Sequence, residues 1–289
     1  MSSHEAGSVL SVQSHVAFGY VGNSAAVFPL QRLGHEVWPV LTVNFSNHTG
    51  YGEWRGPVLP ASDVASVIEG IAERGVLPGV AAVLSGYQGD AGVGEVVLDA
   101  VRRVKAANPS AIYACDPVMG DVDRGMFVRP GIPELMRDSV VPAADVITPN
   151  HFELNFLAGV EATPTLSSVL AAVDAVRAAG PSNVLVTSVL VGGDPDSLDL
   201  VAVDDDGAWA VTTPLLPITP NGGGDVTTAV YLAHLLSSGS TPVALERTAN
   251  TLFAILARTL ESGRRELELV ASQDDIASPP TRFAARRLR

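Results

Sequence analysis

The chain has 289 residues, 47% of them hydrophobic and 17% charged, so one large α/β domain or two small ones with an extensive core are expected. The formal net charge is −13 and the basic residues form no stripe, which argues against a nucleic-acid partner. A single cysteine, Cys115, excludes an intramolecular disulfide framework, and no apolar run is long enough for a membrane span. The first residues lack the pattern of a signal peptide, so a cytoplasmic location is expected.

Short β-branched runs alternate with amphipathic helical patterns along the chain. The predicted strands are 9–13, 37–42, 80–84, 112–115, 146–148, 184–189, 200–203 and 208–212, the last two flanking a hairpin signal. The predicted helices are 24–33, 61–74 with Ser62 and Asp63 as caps, 93–106, one beginning near Phe152, 166–179, 226–236 and 242–260. This alternation favours a mainly parallel sheet with helices on both faces, where ligands bind beyond the carboxyl ends of the strands.

No linker divides the chain, so a single domain over residues 1–289 is expected. Residues 44–60 are polar, aromatic and hinged by glycines, which fits a flap over a ligand better than a domain boundary, although a long surface loop is the alternative. The basic tail, about 278–289, fits a solvated terminus, and the segment 192–196 has no assigned role.

The most informative stretch is residues 221–229, Asn-Gly-Gly-Gly-Asp-Val-Thr-Thr-Ala, at the start of a predicted helix. Three glycines let the backbone turn, and the first turn of the helix adds unpaired N–H groups and the positive end of the helix dipole. Gly222, Gly223 and Gly224 are therefore predicted to form an anion hole for a phosphoryl group. Asp225 at its mouth suits a general base that takes a proton from a hydroxyl, although a helix N-cap would also explain it.

Polar side chains follow other predicted strands as well. Ser14 follows the first strand and Tyr87 the third, where its ring could pack on a flat ligand. Asp116 follows the fourth strand, and Asn150 with Glu153 follows the fifth. Carboxylates at this edge suit Mg²⁺, held directly or through water. Each of these residues also has a structural alternative. Ser14 could cap a turn, Tyr87 could belong to the core, and Asn150 with Glu153 could form a capping box.

Together these stretches resemble the ribokinase-like superfamily and, within it, the pyridoxal kinases of the bacterial type. The resemblance covers nearly the whole chain and rests on six stretches in the family's order, 13–16, 22–26, 45–49, 85–87, 115–120 and 222–227. A phosphate-binding G-x-x-x-x-G-K-[ST] loop is absent from the sequence, which excludes a P-loop kinase.

The resemblance implies a three-layer sandwich and ATP-dependent phosphorylation of the 5′-hydroxymethyl group of pyridoxal to pyridoxal 5′-phosphate. It implies Asp225 as the base, Gly222 to Gly224 as the anion hole, and a ring site of Ser14, Thr49, Gly50 and Tyr87. On the ATP–Mg²⁺ side it implies Asp116, Thr148, Glu153 and Thr187, with Asp116 and Glu153 nearest the metal and Thr213, Pro214, Leu215 and Leu216 along the adenine pocket. A homodimer is implied, and a monovalent cation such as K⁺ could assist.

Two departures from the family pattern bear on this expectation. Thr187 stands where some bacterial members carry a lysine, and Gly223 leaves the anion hole without a side chain.

A hydroxymethylpyrimidine kinase of the same fold is the nearest alternative, and Ser14 and Asp225 favour pyridoxal over it. A non-catalytic carrier of pyridoxal or its phosphate is a second alternative, which would need the ring pocket but not Asp225 or the carboxylates.

Overall fold

The computed structural model describes residues 7–191 and 194–289, so residues 1–6 and two glycines of the unassigned segment 192–196 lie outside the described residues. The strands are β1 (Ser8–Phe18), β2 (Val37–Asn47), β3 (Val80–Ser85), β4 (Ile112–Cys115), β5 (Gly120–Asp121), β6 (Gly125–Met126), β7 (Val146–Ile147), β8 (Asn183–Val189), β9 (Ser197–Val203), β10 (Ala208–Pro214) and β11 (Arg286–Arg287). The α-helices are α1 (Asn23–Arg32), α2 (Ala61–Ala72), α3 (Ala91–Ala107), α4 (Ile132–Leu135), α5 (Val141–Ala143), α6 (His151–Leu157), α7 (Leu166–Arg177), α8 (Gly223–Ser238), α9 (Thr241–Ser262) and α10 (Gln273–Ala277).

Nine strands form one sheet in the order β11-β10-β9-β8-β7-β4-β3-β1-β2, and β5 pairs with β6 in a separate hairpin. Neighbouring strands from β2 to β8 are parallel, whereas β9, β10 and β11 are added antiparallel at the far edge. The parallel strands are apolar on both faces, as strands covered on both sides must be. The predicted mainly parallel sheet is confirmed.

Helices cover both faces of the sheet and make the predicted three-layer sandwich. On one face α2, α3, α6 and α7 pack a core that includes Val64, Val97, Leu154 and Val173. On the other face α1, α8 and α9 contribute Leu30, Leu232 and Leu245. Within the described residues, no helix has both the length and the apolar character needed to cross a membrane.

Three local expectations differ from the structure. Pro60 is the N-cap of α2 and no side chain caps it, so the prediction of Ser62 and Asp63 as caps is wrong: both lie inside the first turn. The tail expected to be a solvated terminus forms the edge strand β11, although its arginines remain exposed. The β5–β6 hairpin was not predicted, because two-residue strands carry no readable periodicity.

The flap, residues 44–60, is a ribbon in which the last part of β2 is paired with an irregular return segment. The backbone N–H of Asn44 donates to Pro57 O at 3.0 Å, and the N–H of Ser46 donates to Arg55 O at 2.7 Å. The tip is a 3₁₀ turn, Thr49–Tyr51, placed between the two sides of the ribbon. The ribbon therefore extends β2 beyond the sheet and carries its tip toward the ligand edge.

Candidate active site

The glycine loop turns sharply into the first turn of α8. Gly222 is the N-cap, with φ of 86° and ψ of −2°. A Cβ there would lie 1.8 Å from Tyr20 O, so both conformation and space require glycine. Nothing within 4 Å would meet a Cβ at Gly223. Since Gly222 is the N-cap, the alternative of Asp225 as the helix cap is wrong.

Asp225 lies in the first turn of α8 and is partly buried. Burial raises the pKa of its carboxyl to about 6, although the N–H groups of Gly22 and of Asp225 itself act in the opposite direction. The carboxylate is therefore mostly ionised at neutral pH and more basic than an exposed aspartate. These are the properties that a general base needs.

Asp116 follows β4 and is 5% exposed. Burial, and then the negative charges of Asp225 and Glu153, raise the pKa of Asp116 well above its usual range, against a hydrogen bond from Thr228. A Cβ at Gly224 would lie 3.6 Å from Asp116 Oδ2, so this carboxylate faces the first turn of α8. Three carboxylates are thus gathered where an added cation would relieve their repulsion.

Glu153 makes the capping box with Asn150, which confirms that alternative. Its Oε1 accepts from the N–H groups of Met119 (2.8 Å) and Gly120 (3.3 Å), and its Oε2 accepts from Asn150 N–H at 2.9 Å. Burial nevertheless raises the pKa of Glu153 to about 7. Glu153 thus anchors the backbone that leads from Asp116 into the β5–β6 hairpin.

Across residues 7–191 and 194–289, no three His, Cys, Asp or Glu side chains are arranged to hold a metal ion. Mg²⁺ in kinase sites is held by one or two carboxylates together with water and substrate phosphates. The buried, charge-crowded Asp116 beside Glu153 fits that kind of site.

The predicted ring-binding residues come from three elements. Ser14 is buried in β1, and a Cβ at Gly22 would lie 2.2 Å from its Oγ, so Ser14 lies beside the backbone that borders Asp225. Tyr87 follows β3 and packs on the small apolar cluster of Val16, Val43 and Phe45 at the base of the flap.

Thr49 and Gly50 are exposed at the flap tip. A Cβ at Gly50 would lie 3.2 Å from Asn221 Nδ2, which places the tip next to the residue preceding the glycine loop. The flap and α8 therefore approach each other at the ligand edge.

The predicted nucleotide-side residues lie along the same edge. Thr148 Oγ1 is 2.6 Å from Thr228 Oγ1 of α8, and Thr187 N–H donates to Pro149 O at 3.0 Å. β10 runs parallel to β8, so residues 213–216 at its carboxyl end share the edge with Asp116. Thr213 is buried there and Leu215 is exposed.

Comparisons with known proteins place the chain in a family. The phosphomethylpyrimidine kinase family model matches residues 59–269. The chain is 58% identical over 282 residues to pyridoxal kinase PdxY of Rubrobacter xylanophilus, covering 97% of each chain, and 58% identical to that of Leifsonia xyli, covering 97% of this chain and 99% of the other. The chain belongs to the pyridoxal kinase family. The predicted family is confirmed.

A solved pyridoxal kinase shares the fold closely. The enzyme from Leishmania donovani in complex with ADP and pyridoxine superposes with a TM-score of 0.91 at 30% identity, covering 97% of this chain and 99% of that one. The predicted ribokinase-like fold is confirmed by this agreement.

Two residues at the pyridoxal kinase site were missed by sequence reasoning. Thr228, one turn after Gly224, links α8 to Thr148 and Asp116, and its spacing from Asp225 could have indicated this. Glu266, after α9, accepts hydrogen bonds from Tyr20 N–H at 3.0 Å and Tyr51 Oη at 2.7 Å. No local pattern marks Glu266, because its partners lie more than 200 positions earlier in the chain.

Proposed function

We propose that this chain is an ATP-dependent pyridoxal kinase that transfers the γ-phosphoryl group of ATP to the 5′-hydroxymethyl oxygen of pyridoxal. The products are pyridoxal 5′-phosphate and ADP. The observation that carries the proposal is the ionisable Asp225 in the first turn of α8, directly after Gly222–Gly224 and opposite Asp116. Its full-length relatives are pyridoxal kinases, which supports the same reading.

Asp225 takes the proton of the 5′-hydroxyl group as the oxygen attacks the γ-phosphorus, and the bond to the ADP oxygen breaks. Phosphoryl transfer asks the protein mainly for positioning and for stabilisation of charge on the phosphoryl oxygens. The N–H groups of residues 222–224 and the positive end of α8 provide this stabilisation. The raised pKa of Asp225, about 6, makes the carboxylate a stronger base while leaving it ionised at neutral pH.

The ring of pyridoxal binds between the sheet edge and the flap. Ser14 and the flap residues Thr49 and Gly50 hold its substituents, and Tyr87 packs on its face. The flap keeps water from the γ-phosphoryl group, since water would otherwise compete as the acceptor.

ATP binds along the edge formed by Thr148, Thr187 and residues 213–216, with the adenine near Thr213, Pro214, Leu215 and Leu216. Asp116 and Glu153 are the residues that would hold Mg²⁺, and the ion would supply positive charge against the phosphates of ATP. The monovalent cation, the homodimer and the cytoplasmic location stay predictions.

The alternative of a hydroxymethylpyrimidine kinase has one specific observation in its favour, the name of the matching family model. That match covers residues 59–269 and so omits Ser14, Thr49 and Gly50, three of the four proposed ring-binding residues. The relatives that span those residues are pyridoxal kinases, so pyridoxal is the better candidate.

The test is to incubate the purified protein with ATP, Mg²⁺ and either pyridoxal or hydroxymethylpyrimidine, and to measure each phosphorylated product. We expect product from pyridoxal. Product from the pyrimidine alone would move the function to the alternative kinase. Binding of pyridoxal without turnover would favour the carrier.

A further inference from the structure

The short segment after α9, residues 264–268, lies against the flap. Glu266 is the centre of the contact, with a side chain that is 14% exposed. Its Oε1 accepts from Tyr51 Oη at 2.7 Å and lies 3.0 Å from His48 Nε2, and its Oε2 accepts from Tyr20 N–H at 3.0 Å. One carboxylate thus joins the flap, the end of β1 and the segment after α9.

The neighbouring residue adds two more contacts to the flap tip. The guanidinium of Arg265 lies 3.9 Å from the centroid of the Tyr51 ring, and it donates a hydrogen bond to Gly50 O. A cation over an aromatic face and a charge-assisted hydrogen bond both favour the tip in this position. Glu266 and Arg265 together therefore hold both sides of the turn Thr49–Tyr51.

The charge state of Glu266 suits this arrangement. Burial alone would raise the pKa of Glu266, but the hydrogen bonds from Tyr51, His48 and Tyr20 N–H outweigh it and hold the pKa below its ordinary value. The carboxylate is consequently ionised at neutral pH. Hydrogen bonds to an ionised acceptor are stronger than neutral ones.

The Glu266 carboxylate also contacts His48, the residue that precedes the flap tip. The His48 side chain is 6% exposed and its Nε2 faces the Glu266 carboxylate, so Nε2 is the donor in this contact. Nδ1 is buried without a hydrogen-bond partner in the described part of the chain, and it would lie 3.0 Å from a Cβ at Gly50. Glu266 therefore fixes the orientation of the His48 ring, whose Nδ1 side lies against the flap tip.

We propose that Glu266 is a positioning residue that holds the flap tip in place for pyridoxal, a role that rests on the proposed function. Thr49 and Gly50 lie between His48 and Tyr51, so fixing these two neighbours on one carboxylate fixes the backbone of the predicted ring-binding residues. Without that anchor the tip spends part of its time away from the pocket, and the apparent affinity for pyridoxal falls by the fraction of time lost. Glu266 makes no hydrogen bond to Asp225 or to the glycine loop and reaches Gly222 only through Tyr20, whose N–H it accepts, so the chemical step is largely preserved.

The test compares Glu266→Ala, Glu266→Gln and Tyr51→Phe with the matched control Glu268→Gln. Glu268 belongs to the same segment, but its carboxylate pairs with Arg264. For Glu266→Ala we expect the KM for pyridoxal to rise about tenfold or more, with kcat and the KM for ATP nearly unchanged. Glu266→Gln keeps an acceptor oxygen and should recover part of the loss, Tyr51→Phe should give a smaller rise, and Glu268→Gln should match the wild type.

Limited trypsin digestion gives a readout that does not depend on turnover. Arg55 is exposed in the flap, and cleavage after it should be faster in Glu266→Ala than in the wild type or in Glu268→Gln. If Glu266→Ala does not fold, Glu266→Gln and Tyr51→Phe decide the question by the same two measurements.

An unchanged KM for pyridoxal in the folded variants, or an equal rise in the KM for ATP, would overturn the proposal. Wild-type protein that makes no product from pyridoxal would defeat the proposed function instead. In that case the role of Glu266 is decided by the trypsin result: cleavage at the wild-type rate overturns it, and faster cleavage supports it.

Discussion

The sheet edge around Asp116 and Asp225 and the flap around Thr49 hold their residues in different ways. At the sheet edge the side chains are buried or partly buried, on strand ends and on the first turn of a 16-residue helix. At the flap tip Thr49 and Gly50 are exposed, and the tip is anchored mainly by the side chains of Glu266 and Arg265.

This difference matches two tasks. Groups that take part in phosphoryl transfer must stay within a narrow geometry, which packed elements provide. A segment that admits a substrate must open, and it therefore belongs to the less stable parts of a protein. Substitutions at the sheet edge are consequently expected to change kcat, and those at the flap to change the KM for pyridoxal.

The largest effect is expected at Asp225. Asp225→Asn keeps the size of the side chain but removes the base, so kcat should fall by about 10²–10⁴-fold while pyridoxal still binds. Steady-state kinetics and a pyridoxal titration measure the two quantities. Asp63→Asn, which changes an exposed aspartate in the first turn of α2, is the matched control and should leave both at wild-type values. If Asp225→Asn lost pyridoxal binding as strongly as kcat, the sheet edge would not differ from the flap in the way proposed.

Asp116→Asn should lower turnover and raise the melting temperature together. The pKa of Asp116 is higher in the folded protein than in the unfolded chain. The contribution of this group to the free energy of unfolding is therefore fully present at a pH below the ordinary pKa of an aspartate. It is lost as the pH rises through the raised pKa of the folded protein. Above the ordinary pKa of an aspartate, Asp116 either carries a buried charge or holds a proton that the unfolded chain would release, so in both states it destabilises the fold, and a neutral amide removes that cost. Thermal unfolding and kcat are the measurements. A lower melting temperature would mean that Asp116 is structural rather than kept for its charge.

Gly222→Ala and Gly223→Ala form a matched pair within the proposed anion hole. Alanine at 222 meets Tyr20 O and a positive φ, so the free energy of unfolding should fall by an amount on the order of 1–3 kcal/mol. Alanine at 223 meets open space in the first turn of α8 and should stabilise the fold by about 0.4–1 kcal/mol. Denaturant unfolding measures both. Equal losses would show that the loop tolerates no side chain at either position.

The smallest effect is expected at Thr187. Its side chain is partly buried at the carboxyl end of β8, on the proposed nucleotide side. Thr187→Lys adds a positive charge near the ATP phosphates, so the KM for ATP should fall while the KM for pyridoxal stays unchanged. Unchanged KM values for both substrates would mean that Thr187 is not on the nucleotide side.

The sheet edge could be predicted from the sequence because its signals are local. Asp116 follows β4 directly and Thr148 follows β7 directly, and the three glycines mark the start of α8. Parallel strands bring their carboxyl ends to one edge, so the residues that follow the predicted strands already identify part of the site.

The flap anchor could not be predicted, because it depends on tertiary contact alone. Glu266 lies 215 positions after Tyr51 and 246 after Tyr20, in a short polar segment like many surface turns. The caps expected at Ser62 and Asp63 failed for a local reason, since Pro60 occupies the N-cap and shifts the helix start by one residue or more. Side-chain contacts between distant segments decided the first outcome, and the position of Pro60 decided the second.

The most direct test of Asp225 as the base is the pH dependence of kcat/KM for pyridoxal, because this ratio reports groups of the free enzyme. Burial raises the pKa of Asp225 to about 6, so kcat/KM should be low below that pH, rise through it and level off above it as the carboxylate ionises. Asp225→Asn should lose this rise along with most of its activity. A wild-type profile that is flat through this pH range, or a rise that persists unchanged in Asp225→Asn, would contradict the assignment of Asp225 as the base.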